Sequence, residues 1–251
     1  MVVRVSDYGE GHRIVDLLTR NEGLQKAFAP GARSSKRRFA GILEAGNRLS
    51  VVLEKTPRRS LCSLKEASLS GGAQTGIRSN LSAMLQAGWM LDLCRSLVRD
   101  EQPHSDLFDL LTQGLDSLDT GALPGWGLVA FEMAALSAFG VMPRFDACCR
   151  CEREPRSESS RFSPGAGGLL CPVCAPAWGP GDLALSRATL RILRTLAELG
   201  CGPDVLVHAA DFPDAPEHIA EARTALLRCT EHVLDRPLKS RALLDRLEQA
   251  D

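Results

Sequence analysis

The sequence predicts an α+β fold: a small N-terminal β-barrel followed by a mainly helical domain with a four-cysteine zinc module inserted in it. Three observations carry this. Residues 1–70 break into five short apolar-rich segments separated by turns, a pattern of strands rather than helices. From residue 80 the apolar residues recur at the helical period. Finally, Cys148, Cys151, Cys171 and Cys174 form two C-x-x-C pairs with nineteen residues between them.

Taken in order, the strands are Val2–Val5, Arg13–Leu18, Leu24–Phe28, Leu49–Leu53 and Leu61–Leu69. Five strands of this length suit a small barrel, whereas a sandwich needs more. Gly71-Gly72 ends the pattern and places a domain boundary within Ser70–Ser79. The expected divisions are 1–78 for the barrel, 79–145 for the first part of the helical domain, 146–178 for the cysteine module and 179–251 for the second helical part. After Asn80, residues Leu81, Met84, Leu85, Trp89 and Leu93 share one helical face. Leu107, Leu110, Leu111, Leu115 and Leu118 form the stripe of a second helix, with Ser105 as its cap. A third helix runs from Leu128 to Phe139. Beyond the cysteines, Ser186 caps a helix carrying Leu190, Leu193 and Ala197. Pro216 opens another that carries Ile219, Ala222, Leu226 and Val233.

Of the 251 residues, 44% are hydrophobic and 24% charged, a balance that supports a packed core and excludes a disordered chain. The nine cysteines are odd in number and arranged for metal, and no basic-then-apolar leader follows Met1. Both features point to a reducing cytoplasm. The longest apolar stretch, Leu128–Met142, is interrupted by Glu132 and is too short to span a membrane. The formal charge of −1 hides an asymmetry: residues 1–78 hold fourteen Lys or Arg against seven Asp or Glu, and the remainder sixteen against twenty-four. A basic N-terminal third points to a polyanionic partner.

A two-residue spacer lets both thiolates of a C-x-x-C reach one cation, and a linker of about 15–20 residues can fold back to close a tetrahedron. Gly165, Gly167 and Gly168 supply the turn. A pair of redox dithiols fits less well, because a redox C-x-x-C normally stands alone near a βαβ unit. Cys149 is a poorer ligand than Cys148, since only one residue separates it from Cys151. Cys62, Cys94, Cys201 and Cys229 lie singly among apolar residues and are expected to be small buried hydrophobes. Four protein ligands close the coordination sphere, so the Zn²⁺ is structural. A zinc deaminase is excluded, because none of the five histidines begins an H-x-E. Arg144, Arg150, Arg153 and Arg156 could offset the charge of about −2 on a Cys₄ zinc site.

The densest basic run holds Arg33, Lys36, Arg37 and Arg38, with Lys26 before it and Arg48 after it; Arg58 and Arg59 form a second group. Arginine forks and exposed amides between small residues can grip phosphates. On a five-stranded barrel, a fold that offers a groove to oligonucleotides, these residues become DNA-contact candidates. Only Tyr8, Phe28 and Phe39 are aromatic before residue 79. Backbone charge should therefore dominate over base stacking, with little sequence preference and strong salt dependence. No metalloprotease, P-loop or nucleophile-elbow motif occurs, and the expectation is a protein that is not an enzyme.

Several pieces, read in order, resemble a known family. They are Asp7-Tyr8-Gly9-Glu10, Arg13-Ile14-Val15, Leu17-Leu18-Thr19, the run from Gly31 to Lys36, Asp146 with Cys148 and Cys151, Gly167-Gly168 with Cys171 and Cys174, and Leu238-Lys239-Ser240-Arg241. Together they resemble RecO, the bacterial DNA-repair and recombination mediators, over nearly the whole chain. The resemblance implies an OB-fold for the barrel, a helical domain, and one structural Zn²⁺ on the four cysteines. It also implies binding to single- and double-stranded DNA, annealing of complementary strands, and work with RecR to load RecA onto DNA covered by single-strand-binding protein. The expected place is the bacterial cytoplasm, at the nucleoid during repair. Pro30 before Gly31 and the extra Cys149 depart from the usual pattern. The alternative from another class is a zinc-ribbon transcription or protein-interaction factor, which would prefer one DNA site or none.

Overall fold

The computed structural model describes residues 1–35, 38–39, 41–55, 61–72, 74–98, 102–154, 159–200 and 202–240. The chain divides into two compact units, residues 1–122 with 239–251, and residues 123–238.

The first unit is built on β1 (Val2–Tyr8), β2 (His12–Thr19), β3 (Gly23–Ala29), β4 (Leu49–Glu54) and β5 (Cys62–Leu69). All five strands fall where the apolar segments place them. Their order is β1-β2-β3-β5-β4. Pairing is antiparallel except for a short parallel contact of β3 with β5 at Ala27 and Phe28. Val2 N donates to Asn47 O (2.9 Å) and Gly46 N to Val2 O (2.8 Å). These bonds tie the stretch entering β4 back to β1, giving the partly open five-stranded barrel of an OB-fold. Alternate residues face inward along a strand. Val15, Leu17, Ala27, Ala29 and Leu64 accordingly form the interior with Phe39 and Leu43 from the β3–β4 connection. Gly23 has φ +64°, and a Cβ there would lie 2.1 Å from Gln102 O, so the β2–β3 turn requires glycine.

Helices α1 (Thr75–Ser79), α2 (Leu81–Leu97) and α3 (Ser105–Asp119) complete this unit. Asn80 Oδ1 accepts from Ala83 N (3.0 Å) and starts α2. The buried face of α2 differs from the expected stripe. Leu81 and Met84 are 68% and 48% exposed, whereas Ala83, Ala87, Met90, Leu91 and Cys94 are buried beside Trp89 and Leu93. The small alanines let α2 lie close to β1, α1 and α3, and that close packing rotates the first turn's larger residues outward. Ser105 is not the cap of α3: His104 holds that position and Ser105 Oγ turns to Asp106 Oδ1 (3.4 Å). The leucine stripe of α3 is buried as expected. Asp16, on the outer side of β2, accepts from Arg95 Nε at 2.5 Å and fastens α2 to the sheet.

In the second unit α4 (Gly127–Ala138) is buried from Gly127 to Leu136. It packs against α5 (Arg187–Glu198), α6 (Val205–His208) and α7 (Pro216–Leu234). A helix apolar on every side belongs at a centre. Between α4 and α5 lies a three-stranded antiparallel sheet, β7-β6-β8, of β6 (Ser159–Ser163), β7 (Gly168–Leu170) and β8 (Leu183–Ser186). The sequence pattern gives no sign of it, because the strands are very short and Ser-Ser-Arg-Phe-Ser in β6 holds one hydrophobe. Ser186 caps α5 and Pro216 opens α7, both as expected. Among the described residues no helix is long and apolar enough to cross a membrane.

Candidate metal centre and nucleic-acid interface

The cysteine knuckles are brought together by backbone pairing. Arg144 N donates to Gly167 O (2.9 Å), Leu169 N to Arg144 O (3.1 Å) and Cys149 N to Leu169 O (2.8 Å). These bonds zip the stretch before the first knuckle to β7, which runs directly into Cys171. Gly168 is demanded here: at φ +151°, a Cβ would sit 2.3 Å from Arg144 O and 2.9 Å from Cys149 Sγ. Tight turns then shape the knuckles, with Glu152 N on Cys148 O (2.9 Å) and Ala175 N on Cys171 O (3.1 Å). Glu152 takes a left-handed φ of 61° to make the first.

The sulfurs of Cys148, Cys151, Cys171 and Cys174 all lie within 4.8 Å of one another, and Cys151 and Cys171 Sγ are 3.7 Å apart. Thiolates at about 2.3 Å from a tetrahedral Zn²⁺ stand about 3.8 Å apart, so the residues fit such an ion. Cys171 N points at Cys148 Sγ and Cys174 N at Cys171 Sγ, each at 3.4 Å. Burial pushes the Cys148 thiol up, but the amides of Cys171, Arg150 and Cys151 outweigh it and bring it down to about 6. The Cys174 amide likewise lowers Cys171. Cys174 moves the other way, pushed up to about 12 by the Cys151 and Cys171 thiols and by desolvation. Four sulfurs this close cannot all ionise unaided, and a bound divalent cation would remove the conflict. Cys149 stands outside the four, with its sulfur against Gly168.

Charged neighbours frame the cluster. Arg150 Nη1 donates to Cys174 O (2.7 Å) and so braces the second knuckle. Arg144 pairs with Asp146 (2.9 Å) and Glu152 (3.5 Å). Arg153 is exposed, and Arg156 lies outside the described residues. The sequence reading missed Arg161. Its buried guanidinium donates to Ala175 O and Ala177 O, lies 3.6 Å from Asp182 and faces the Trp178 ring at 5.7 Å. It fastens the loop after the second knuckle to β6, through carbonyl partners that leave no trace in a sequence. Cys62, Cys94 and Cys229 are buried as expected, and Cys201 lies outside the described residues.

On the barrel, Lys26, Arg33 and Arg38 are exposed. Lys26 on β3 stands opposite Asp16, which stands opposite Arg4 on β1. Arg33 N donates to Gly11 O (3.2 Å) and Gly31 N to His12 Nδ1 (2.9 Å). The loop after β3 is thereby fastened to the β1–β2 turn. Arg38 donates to Pro30 O and lies over the Phe39 ring at 4.6 Å, which brings it close to Gly31. Arg48 is half-buried, with both terminal nitrogens on the Asp116 carboxylate at 2.9 Å, so its fork is engaged within the unit. Lys36, Arg37, Arg58 and Arg59 lie outside the described residues. At the same end of the barrel Phe28 meets Tyr8 edge to face, with centroids 5.8 Å apart, and His12 at 5.2 Å. The register of two hairpins assembles this cluster from residues that look isolated in the sequence. Phe39 is core.

Comparison with known proteins agrees with both halves of this architecture. Residues 1–73 match the family described as "Recombination protein O N terminal", and residues 78–242 match "Recombination protein O C terminal". A protein named "DNA repair protein RecO" from Anaeromyxobacter sp. (strain K) is 43% identical over 247 residues, covering 98% of this chain and 94% of that protein. Its namesake from Myxococcus xanthus is 40% identical over 240 residues, covering 96% and 93%. That from Geobacter sulfurreducens is 35% identical over 247 residues, covering 98% and 96%. With the N- and C-terminal families matched in order, and full-length relatives at this identity, the chain belongs to the RecO family of DNA-repair proteins.

Proposed function

We propose that the chain is a recombination mediator that binds single- and double-stranded DNA through the phosphate backbone and anneals complementary strands. With RecR it helps load RecA onto DNA covered by single-strand-binding protein. It works in the cytoplasm, at the nucleoid during repair, by binding and positioning rather than by covalent chemistry. The observation that carries this reading is the exposed trio Lys26, Arg33 and Arg38 on an OB-fold barrel, in a chain whose relatives are named DNA repair proteins. The partner proteins follow from the family resemblance. One Zn²⁺ on Cys148, Cys151, Cys171 and Cys174 serves as a structural cross-link, since four thiolates leave no open position for a reacting group.

The test is binding of unrelated DNA sequences at several salt concentrations. Phosphate recognition gives similar affinities for all of them and a steep fall with salt. Replacing Arg33, Lys36 and Arg38 by Ala should weaken binding to every sequence alike and flatten the salt dependence by about one unit of slope per lost contact. One strongly preferred site would favour a transcription factor. An unchanged salt slope in the folded triple variant would remove these residues from the interface.

A further inference from the structure

The outer face of β1, β2 and β3 carries a small aromatic surface between cations. Strand register places Tyr8 opposite His12, Ile14 opposite Phe28, and Asp16 between Arg4 and Lys26. Residues opposite each other, and residues two apart along a strand, share a face. Arg4, Ser6 and Tyr8 therefore line up with His12, Ile14 and Asp16 and with Lys26 and Phe28, while Val15, Ala27 and Ala29 fill the interior behind them. At one end of this face α2 holds Asp16 through Arg95. The other end is open: Tyr8 is 54% exposed, among the large hydrophobic side chains that stand out in water.

The geometry there is fixed. Phe28 meets Tyr8 at an interplanar angle of 83°, an edge-to-face contact that holds one ring upright against the other. His12 packs on Phe28, and its Nδ1 accepts the Gly31 amide, so ring and loop are locked together. The same loop brings Arg33 to the β1–β2 turn through its amide on Gly11 O. Among the described residues Arg4, Lys26 and Arg33 make no ion pair, while the acid between the first two, Asp16, is already engaged by Arg95. A braced ring with Arg33 at its own end of the face, and the uncommitted Arg4 and Lys26 four residues farther along the strands, is complementary to one class of ligand, an unpaired nucleotide within a strand whose phosphates run along the face. Arg4 and Tyr8 are roughly 13 Å apart along the strand at about 3.3 Å per residue, a reach of a few nucleotides.

We propose that Tyr8, braced by Phe28 and His12, is a stacking step for an unpaired base, that Arg33 holds a phosphate beside it, and that Arg4 and Lys26 hold phosphates a few nucleotides along the same strand. This deepens the DNA-binding reading above and rests on it: it adds a single-strand-selective contact to a grip that phosphate charge alone would extend equally to duplex. A base inside a duplex offers no free π-face without costly unstacking, so only single strands use the step. Stacking occupies the face of the base and leaves its pairing edge open. A strand held this way remains able to meet its complement.

Tyr8 is the chain's single tyrosine, which makes the test direct. Full-length protein carrying 3-fluorotyrosine gives one fluorine resonance, and it is titrated with oligo-dT and with a blunt duplex while binding of each is followed by anisotropy. The expected result is a shift with oligo-dT, from the ring current of a stacked base, and none with duplex. Tyr8→Ala should weaken oligo-dT binding about tenfold, within the range that one base–aromatic stack contributes. Its duplex affinity should stay within about twofold, and Tyr8→Phe should restore oligo-dT binding. An unmoved resonance in protein saturated with oligo-dT overturns the proposal, as does an equal loss for both DNAs in Tyr8→Ala. In either case the phosphate-binding function still stands. Wild-type protein that binds neither DNA would overturn both. The fluorine titration uses the native side-chain framework and does not depend on any variant folding.

Discussion

Cys171 is held from both sides, its amide on Cys148 Sγ and its sulfur under the Cys174 amide, each at 3.4 Å. Cys171→Ala removes a ligand and an acceptor together. Zinc content should fall from one per chain to near zero, and Tm on the order of 10 °C. Each kcal/mol is worth about 2–4 °C at this size, and structural zinc contributes several kcal/mol or more. Elemental analysis and a thermal scan check this, with Cys149→Ser as the variant that should keep its metal. Proton release gives a second measurement. Cys148, at about 6, is already ionised near neutral pH, whereas Cys174, pushed to about 12, must give up its proton when metal binds. Calorimetric titration of the metal-free protein in phosphate and in Tris should count fewer protons than ligands. The count should rise, and the affinity fall, as pH drops through about 6 and Cys148 too becomes protonated. At this scale the cluster of Cys148, Cys151, Cys171 and Cys174 was legible, because two C-x-x-C pairs at this spacing are the pattern of a metal site. Arg161 and the Tyr8–Phe28 pair were not, because one bonds to backbone carbonyls and the other is created by strand register.

The start of α5 is a joint between two helices. Ser186 Oγ accepts from Thr189 N (3.2 Å), its hydroxyl donates to Glu221 Oε2 (2.7 Å), and its amide donates to Glu221 Oε1 (2.6 Å). Thr189 Oγ1 donates to the same carboxylate, so Glu221 on α7 closes the N-terminus of α5. Ser186→Ala removes the cap and a donor to a largely buried carboxylate, a loss on the order of 2 kcal/mol. Glu221→Gln points an amide at converging donors and should cost a similar amount. The double variant should lose less than the sum, since both changes break one network. Urea denaturation of the four proteins measures this, and additive losses would mean that the two helices are held independently. The cap was legible from Ser186 alone, but its carboxylate partner, thirty-five residues on, was not. Strand alternation was clear in the barrel, where one face is buried, and silent in β6, where polar side chains cover strands too short to show a period. Helix α2 was recognised but turned wrongly, because a stripe of large hydrophobes is a poor guide where alanines make the close contact.

Across the whole molecule, charge and chemistry are segregated. Residues 1–78 hold twice as many basic as acidic side chains although the chain is nearly neutral, and the four clustered cysteines all fall in the second compact unit. On the proposed reading the barrel carries the attraction for a polyanion, and a Zn²⁺ on the cysteine cluster would cross-link a fold remote in sequence from it. Cations that grip phosphates leave the pairing edges of the bases free, and two strands held in this way can test each other for complementarity. The most direct test is the pairing rate of complementary oligonucleotides with the full chain present and no nucleotide cofactor added. The rate should rise above its protein-free value at low salt and fall back as salt is added, because screening removes the same phosphate contacts that collect the strands. Tight binding at low salt with a pairing rate unchanged from the protein-free value would contradict it.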